Sequence, residues 1–213
     1  ATITLLVEQT RPDLLVVACN SASTTVLPAL RSQLTLPVVG VVPAIIPAAS
    51  LSRSRVIGLL ATPGTVRRQY TAQLINDFAS DCCVISVGSS ALAPAIERQF
   101  WEGTDHPELY QTLAAEFAGN PRAPDMDTLV LACTHFPLVA AQLREYFPGV
   151  SLVDSGEAIA RRVESLLGSA LPTVGQPGEQ RVIVLGERRV SAHFLEKLSA
   201  QGISQRPTLV AAD

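Results

Sequence analysis

Short, predominantly apolar runs recur along the chain at 14–18, 38–42, 56–61, 83–87, 128–132, 150–153 and 181–185. They are rich in Val, Ile and Leu and lack the apolar–polar alternation of a strand with one wet face. Each therefore predicts a strand buried on both faces. Between the runs, apolar residues return every three or four positions, as in Val66, Tyr70, Leu74 and Phe78, or Leu109, Leu113 and Phe117. Ile159, Val163 and Leu166 repeat the pattern, as do Phe194, Leu195 and Leu198. Such spacing gathers side chains on one face of a helix. Gly168 and Gly202 stand where two of these helices would end. Strands alternating with helices predict an α/β fold with mostly parallel sheets. The Pro- and Gly-rich segment 172–179 reads as a loop. Ile3, Leu6 and Val7 predict the end of an amphipathic helix with no strand before it, so the chain is expected to open part-way through a domain.

One pattern occurs twice. Leu14-Leu15-Val16-Val17-Ala18-Cys19-Asn20 returns 114 residues later as Thr128-Leu129-Val130-Leu131-Ala132-Cys133-Thr134. Each copy is an apolar strand that ends in Ala-Cys and a small polar residue, with a helix expected next. The repeat predicts two similar α/β halves, each presenting a cysteine at the carboxyl end of a strand. In open α/β sheets that end is where ligands bind.

Composition narrows the class. The 213 residues are 47% hydrophobic and carry a net charge of −3, enough apolar matter for a sizeable core and too little for global disorder. The 16 basic residues are thinly spread, so no nucleic-acid partner is expected. No apolar run approaches the roughly 18 residues of a membrane span, and the opening residues lack a signal-peptide pattern. Four cysteines without C-x-x-C spacing fit neither a disulfide scaffold nor a zinc site. A cytoplasmic chain with reduced thiols, no membrane partner and no metal is the expectation.

A cysteine at a strand end is commonly a small buried hydrophobe. Two matching ones at expected helix starts read differently, because a helix N-terminus favours the thiolate and offers free N–H groups to an anion. Cys19 and Cys133 are thus candidate proton-transfer groups for the two faces of one stereocentre. His135 stands two residues after Cys133, placed either to tune that thiol or to tie down a loop. Thr62 and Thr65, in a turn that follows one strand and opens a helix, would cradle a carboxylate or cap that helix. Glu97 carries no signal in its spacing and reads as solvated. His106 and His193 are expected at the surface, and Cys82 and Cys83 as structural. Asp154-Ser155-Gly156 ends a strand and reads as a helix N-cap. Lys197, the sole lysine, lies in a polar helical context and is a poor anchor for a pyridoxal cofactor.

Residues 17–23, Val-Ala-Cys-Asn-Ser-Ala-Ser, and 131–138, Leu-Ala-Cys-Thr-His-Phe-Pro-Leu, resemble the two cysteine motifs of bacterial glutamate racemases. Stretches 37–44, 60–66 and 153–156 support the resemblance in the same order, so that it spans about 14–167. Aspartate racemases share the paired cysteines, and the string from Cys133 to Leu138 favours the glutamate branch. The resemblance implies a cofactor-independent racemase that interconverts L- and D-glutamate for peptidoglycan. Its two α/β domains would be related by a pseudo-twofold axis, with the site in the cleft between them. Cys19 and Cys133 would be the two bases, with His135 assisting Cys133. Asn20, Ser21, Thr62, Thr65, Glu97, Thr134 and His135 would surround the substrate. Residues 1–41 and 154–213 would form a discontinuous first domain and 42–153 the second, and the resemblance allows a homodimer. In the family an Asp-Ser-Gly loop and a Tyr-Gly motif precede the first cysteine, whereas 18 residues precede Cys19 here. Neither motif occurs in those residues. Weak racemisation, with Cys133 the more reactive thiol, is therefore expected. A related aspartate racemase and a homologue that binds ligand without turnover remain alternatives.

Overall fold

A computed structural model describes residues 2–168, 178, 180–186 and 190–210. The chain runs α1 (Thr2–Thr10), β1 (Leu15–Val17), α2 (Asn20–Gln33), β2 (Val38–Gly40), α3 (Ile45–Leu51) and β3 (Val56–Ala61). It continues through α4 (Pro63–Val66), α5 (Gln69–Phe78), β4 (Cys83–Gly88), α6 (Leu92–Glu102), α7 (Pro107–Ala118) and β5 (Thr128–Ala132). Then come α8 (Ala140–Tyr146), β6 (Ser151–Val153), α9 (Gly156–Leu167), β7 (Ile183–Leu185), α10 (Ala192–Ala200) and β8 (Thr208–Val210). The expected loop at 172–179 lies outside the described residues apart from Gly178.

Every strand pairing among the described residues is parallel, as the alternation of elements predicts. β4, β3, β5 and β6 form a four-stranded sheet in that order, while β1 pairs with β2 and β7 with β8. The apolar runs have a direct cause in the four-stranded sheet. In β3, Val56 and Leu60 enter a core built with α6, α7 and α8, while Ile57, Leu59 and Ala61 enter a second core under α3 and α5. β5 divides in the same way, Leu129 and Leu131 to one side and Val130 and Ala132 to the other. Gly58 is required between them, since a Cβ there would meet Met126 and Leu129 at 2.5 and 2.7 Å.

Burial on both faces fails at the margins. β4 lies at a sheet edge, and its Ser86 and Gly88 are exposed. In the two-stranded sheet Val16 stays 37% exposed. β1 and β2 are also shorter than their apolar runs, with three paired residues each. β8 was not legible in the sequence: three residues next to a proline give too short a signal. The helix ends follow expectation, with Gly168 closing α9 and Gly202, at φ +81°, following α10.

Asp127 ties the starts of the two central strands together. Its carboxylate accepts hydrogen bonds from Ser52 Oγ (2.7 Å), Arg53 N–H (2.7 Å), Ser54 N–H (2.8 Å) and Thr128 Oγ1 (3.0 Å). Burial alone would raise its pKa, yet these donors together hold it well below the usual carboxylate range. Asp127→Asn should lower unfolding stability at neutral pH by about 1–3 kcal/mol, because an amide nitrogen faces donors that an oxygen accepted from. The depressed folded pKa means that this contribution is present above the unfolded value near ~3.9 and lost as pH falls below it. Urea unfolding of wild type and variant should therefore converge in acid; equal stability at pH 7 would refute the role.

Candidate active site

The first cysteine motif folds as strand, cap and helix. Cys19 has extended backbone at the N-cap of α2, and its Sγ accepts a hydrogen bond from Ala22 N–H at 3.4 Å. The thiol is otherwise exposed. Ser23 Oγ donates to Val17 O and accepts from Val41 N–H, which locks α2 onto the ends of β1 and β2. Asn20 is 95% buried, and its Oδ1 has no hydrogen-bond partner among the described residues. Ser21 Oγ meets the hydroxyls of Thr65 (2.9 Å) and Thr62 (3.3 Å), which lie 3.1 Å from each other. Thr62 also caps α4 through Thr65 N–H. Ser21, Thr62 and Thr65 thus converge from two separate strand ends.

The second motif departs from expectation. No α-helix begins after Cys133; the chain turns into a 3₁₀ segment, Phe136–Val139, and α8 starts only at Ala140. Phe136 N–H bonds to Cys133 O and Leu138 N–H to His135 O, both at 3.0 Å. Pro137, which cannot donate, sits inside this tight turn. Cys133 is therefore set by a turn, not by the end of a helix. The turn aims Thr134 Oγ1 at Ala18 O, 3.0 Å away, directly joining the two cysteine motifs. Chain geometry then limits the Cys19–Cys133 Cα separation to about 12 Å.

His135 lies between a thiol and a carboxylate. Its Nδ1 is 3.7 Å from Cys133 Sγ and its Nε2 2.6 Å from Glu97 Oε1. The Cys133 sulfur first, against the opposing effect of burial, and then Glu97 raise its pKa to about 9. The raised pKa favours the imidazolium form, which donates from both ring nitrogens, toward Cys133 Sγ and Glu97 Oε1. Glu97, read from sequence as solvated, is instead the partner of His135 across 38 residues. Trp101, one turn further along α6, donates Nε1–H to Glu97 Oε2 at 3.0 Å. Its four-residue offset from Glu97 was the available signal, and spacing alone did not make Glu97 part of a site. An open cavity of about 340 Å³ is lined by Glu97, Trp101, Thr134, His135 and Phe194.

The remaining candidates lie apart from this arrangement. His106 and His193 are half-buried rather than fully exposed. His106 Nδ1 pairs with Glu108, and the His193 ring lies against Gly103. Cys82 and Cys83 are partly buried against the two cores, and burial pushes the Cys82 thiol up. Ser155 does not cap α9; Asp154 Oδ1 accepts from Gly156 N–H, and Ser155 Oγ donates to Val42 O at 2.5 Å. Among the described residues no group of three or more His, Cys, Asp or Glu is placed to hold a metal ion. None of their helices is long and apolar enough to cross a membrane.

The family model described as Asp/Glu/Hydantoin racemase matches residues 2–163. The chain belongs to this family. A glutamate racemase of Shewanella sp. (strain MR-4) is 53% identical over 169 residues, covering 78% of this chain. One from Shewanella baltica (strain OS223) is 51% identical over 205 residues, covering 93% of the chain and 72% of the relative. The chain spans 60% of the length of the MR-4 relative. Escherichia coli glutamate racemase, solved with L-glutamate and the activator UDP-MurNAc-ala, is 38% identical with a TM-score of 0.84. That match covers 99% of this chain and 79% of the other. Thermus thermophilus glutamate racemase, solved with beta-chloro-D-alanine, matches at 26% identity and a TM-score of 0.68, over 99% and 76% of the two chains.

In this family member the state of His135 is open to direct measurement. Glu97→Gln removes the carboxylate charge, and the His135 pKa should fall from about 9 toward its ordinary value near 6.5, followed by NMR titration of the ring. A raised folded pKa contributes stability that is full below about 6.5 and lost as pH rises through 9. The variant should therefore show a flatter decline of stability over that window, and an unchanged ring titration would refute the pairing.

Proposed function

We propose that this chain is a cofactor-independent amino-acid racemase that interconverts L- and D-glutamate through two thiols and so supplies D-glutamate for peptidoglycan. The observation that carries the reading is the Thr134–Ala18 hydrogen bond. It brings two Ala-Cys strand ends together, one of them backed by the His135–Glu97 pair. Residues 1–41 with 154–213, and residues 42–153, are proposed as the two domains that flank the site.

In the reaction one cysteine, as thiolate, takes the α-proton onto its sulfur. The carbanion that remains is protonated on the opposite face by the S–H of the other cysteine. Reversal of the roles gives the other enantiomer. The α-proton is weakly acidic, so hydrogen bonds to the substrate have to stabilise the developing charge. Asn20, whose Oδ1 has no partner among the described residues, and the hydroxyl group of Ser21, Thr62 and Thr65 are assigned to the substrate's polar ends on the Cys19 side. Thr134 and the His135 imidazolium are assigned to the Cys133 side, where the cation also favours the thiolate.

In a version that also carries the Asp-Ser-Gly and Tyr-Gly motifs, Cys19→Ser and Cys133→Ser should each abolish racemisation of glutamate, a loss of at least about 10²–10⁴-fold, the usual contribution of a general acid or base. Each should retain elimination of HCl from one enantiomer of a β-chloro substrate analogue, since that step needs only one base. Chiral chromatography and solvent-deuterium incorporation read both. An undiminished rate in either variant would overturn the two-thiol mechanism, and faster turnover of aspartate than of glutamate would overturn the substrate assignment.

A further inference from the structure

We infer that Trp101 is a positioning residue for the Cys133 side of the site, and that through it the first turn of α10 sets the placement of Glu97 against His135. Glu97 is a long side chain, 39% exposed, and in water its carboxylate would sample many rotamers. Here one oxygen lies against His135 Nε2 while the other accepts the indole N–H of Trp101. The indole is held in turn. It stacks on Phe194 of α10 with ring centroids 3.7 Å apart and planes 4° from parallel. Phe100 meets the same phenyl ring edge-on at 5.6 Å. Ser191, the N-cap of α10, accepts Phe194 N–H and also donates its hydroxyl to the Trp101 carbonyl. The last turn of α6 and the first turn of α10 are thereby clamped together. The clamp leads from Phe194 through Trp101 and Glu97 to His135 and ends at Cys133.

Trp101 does not touch the sulfur and takes no proton; it fixes the direction from which Glu97 approaches the ring. Arg98 and Glu102 border the same depression as Glu97 and His135 and are the other charged groups beside the ring. The inference uses the racemase reading only for its effect on rate. Its effect on His135 is independent of any turnover.

Trp101→Phe keeps an aromatic ring for Phe194 and deletes the N–H together with part of the indole's stacking surface. In the full chain the His135 pKa, read by NMR, should then fall from about 9 toward 6.5 while the thermal midpoint changes little. The kcat for glutamate should fall on the order of tenfold with KM nearly constant, a fraction of the 10²–10⁴ that acid–base groups contribute. Phe194→Leu, which keeps the indole N–H and loosens the stack, should move the titration the same way by less. A His135 titration unchanged in Trp101→Phe overturns the inference, whether or not the chain racemises. If the wild-type chain does not racemise while Trp101→Phe still lowers the His135 pKa, the proposed function falls and the clamp stands.

Discussion

Backbone amides buried between two cores have to find their partners in neighbouring strands, and β3 with β5 show how much follows from that requirement. Both strands are covered on each face, so their N–H and C=O groups have no recourse to water and are satisfied only by the parallel ladder. The ladder fixes the carboxyl ends of both strands to within the tolerance of a hydrogen bond. From Ala61 the chain can leave only into the turn that carries Thr62 and Thr65. From Ala132 it can leave only into the turn that carries Cys133, Thr134 and His135. The chemistry is thus placed by residues that have none.

Joining the smaller β1–β2 sheet to this frame is the work of polar side chains. Thr134 reaches Ala18, Ser21 reaches Thr62 and Thr65, and Ser155 reaches Val42. Few buried apolar residues come from β1 and α2, so the relative setting of the two parts rests on a few directional contacts. Hydrogen bonds exchange with water at little net cost, whereas a packed core does not. The site therefore lies where the molecule is held by its most exchangeable interactions.

What the sequence disclosed follows the same division. β3 and β5 were legible residue for residue, because two-sided burial writes itself as an apolar run. The paired Ala-Cys motifs and the hydroxyls of Ser21, Thr62 and Thr65 were legible as local patterns at strand ends. Glu97 was placed at the site by the resemblance alone, since its contact with His135 spans 38 residues and its own helix shows only an ordinary charged position. Trp101 was invisible for the same reason. The 3₁₀ turn after Cys133 was missed because the analogy with the Cys19 motif outweighed Pro137. At β1 and β4 the apolar composition was read correctly, but whether a strand sits at an edge is a property of the sheet and not of its residues.

The cap at Cys19 couples acid–base chemistry to secondary structure. The sulfur that would carry a proton is also the acceptor for the first turn of a fourteen-residue helix, through Ala22 N–H. A thiolate accepts that bond strongly and a thiol only weakly. The bond to Sγ therefore ties the first turn of α2 to the Cys19 side chain. The adjoining Asn20 and Ser21 ride on that turn, so the groups beside the sulfur are tied to it through the backbone as well as through space. The Ala22 amide proton is the natural reporter of that coupling.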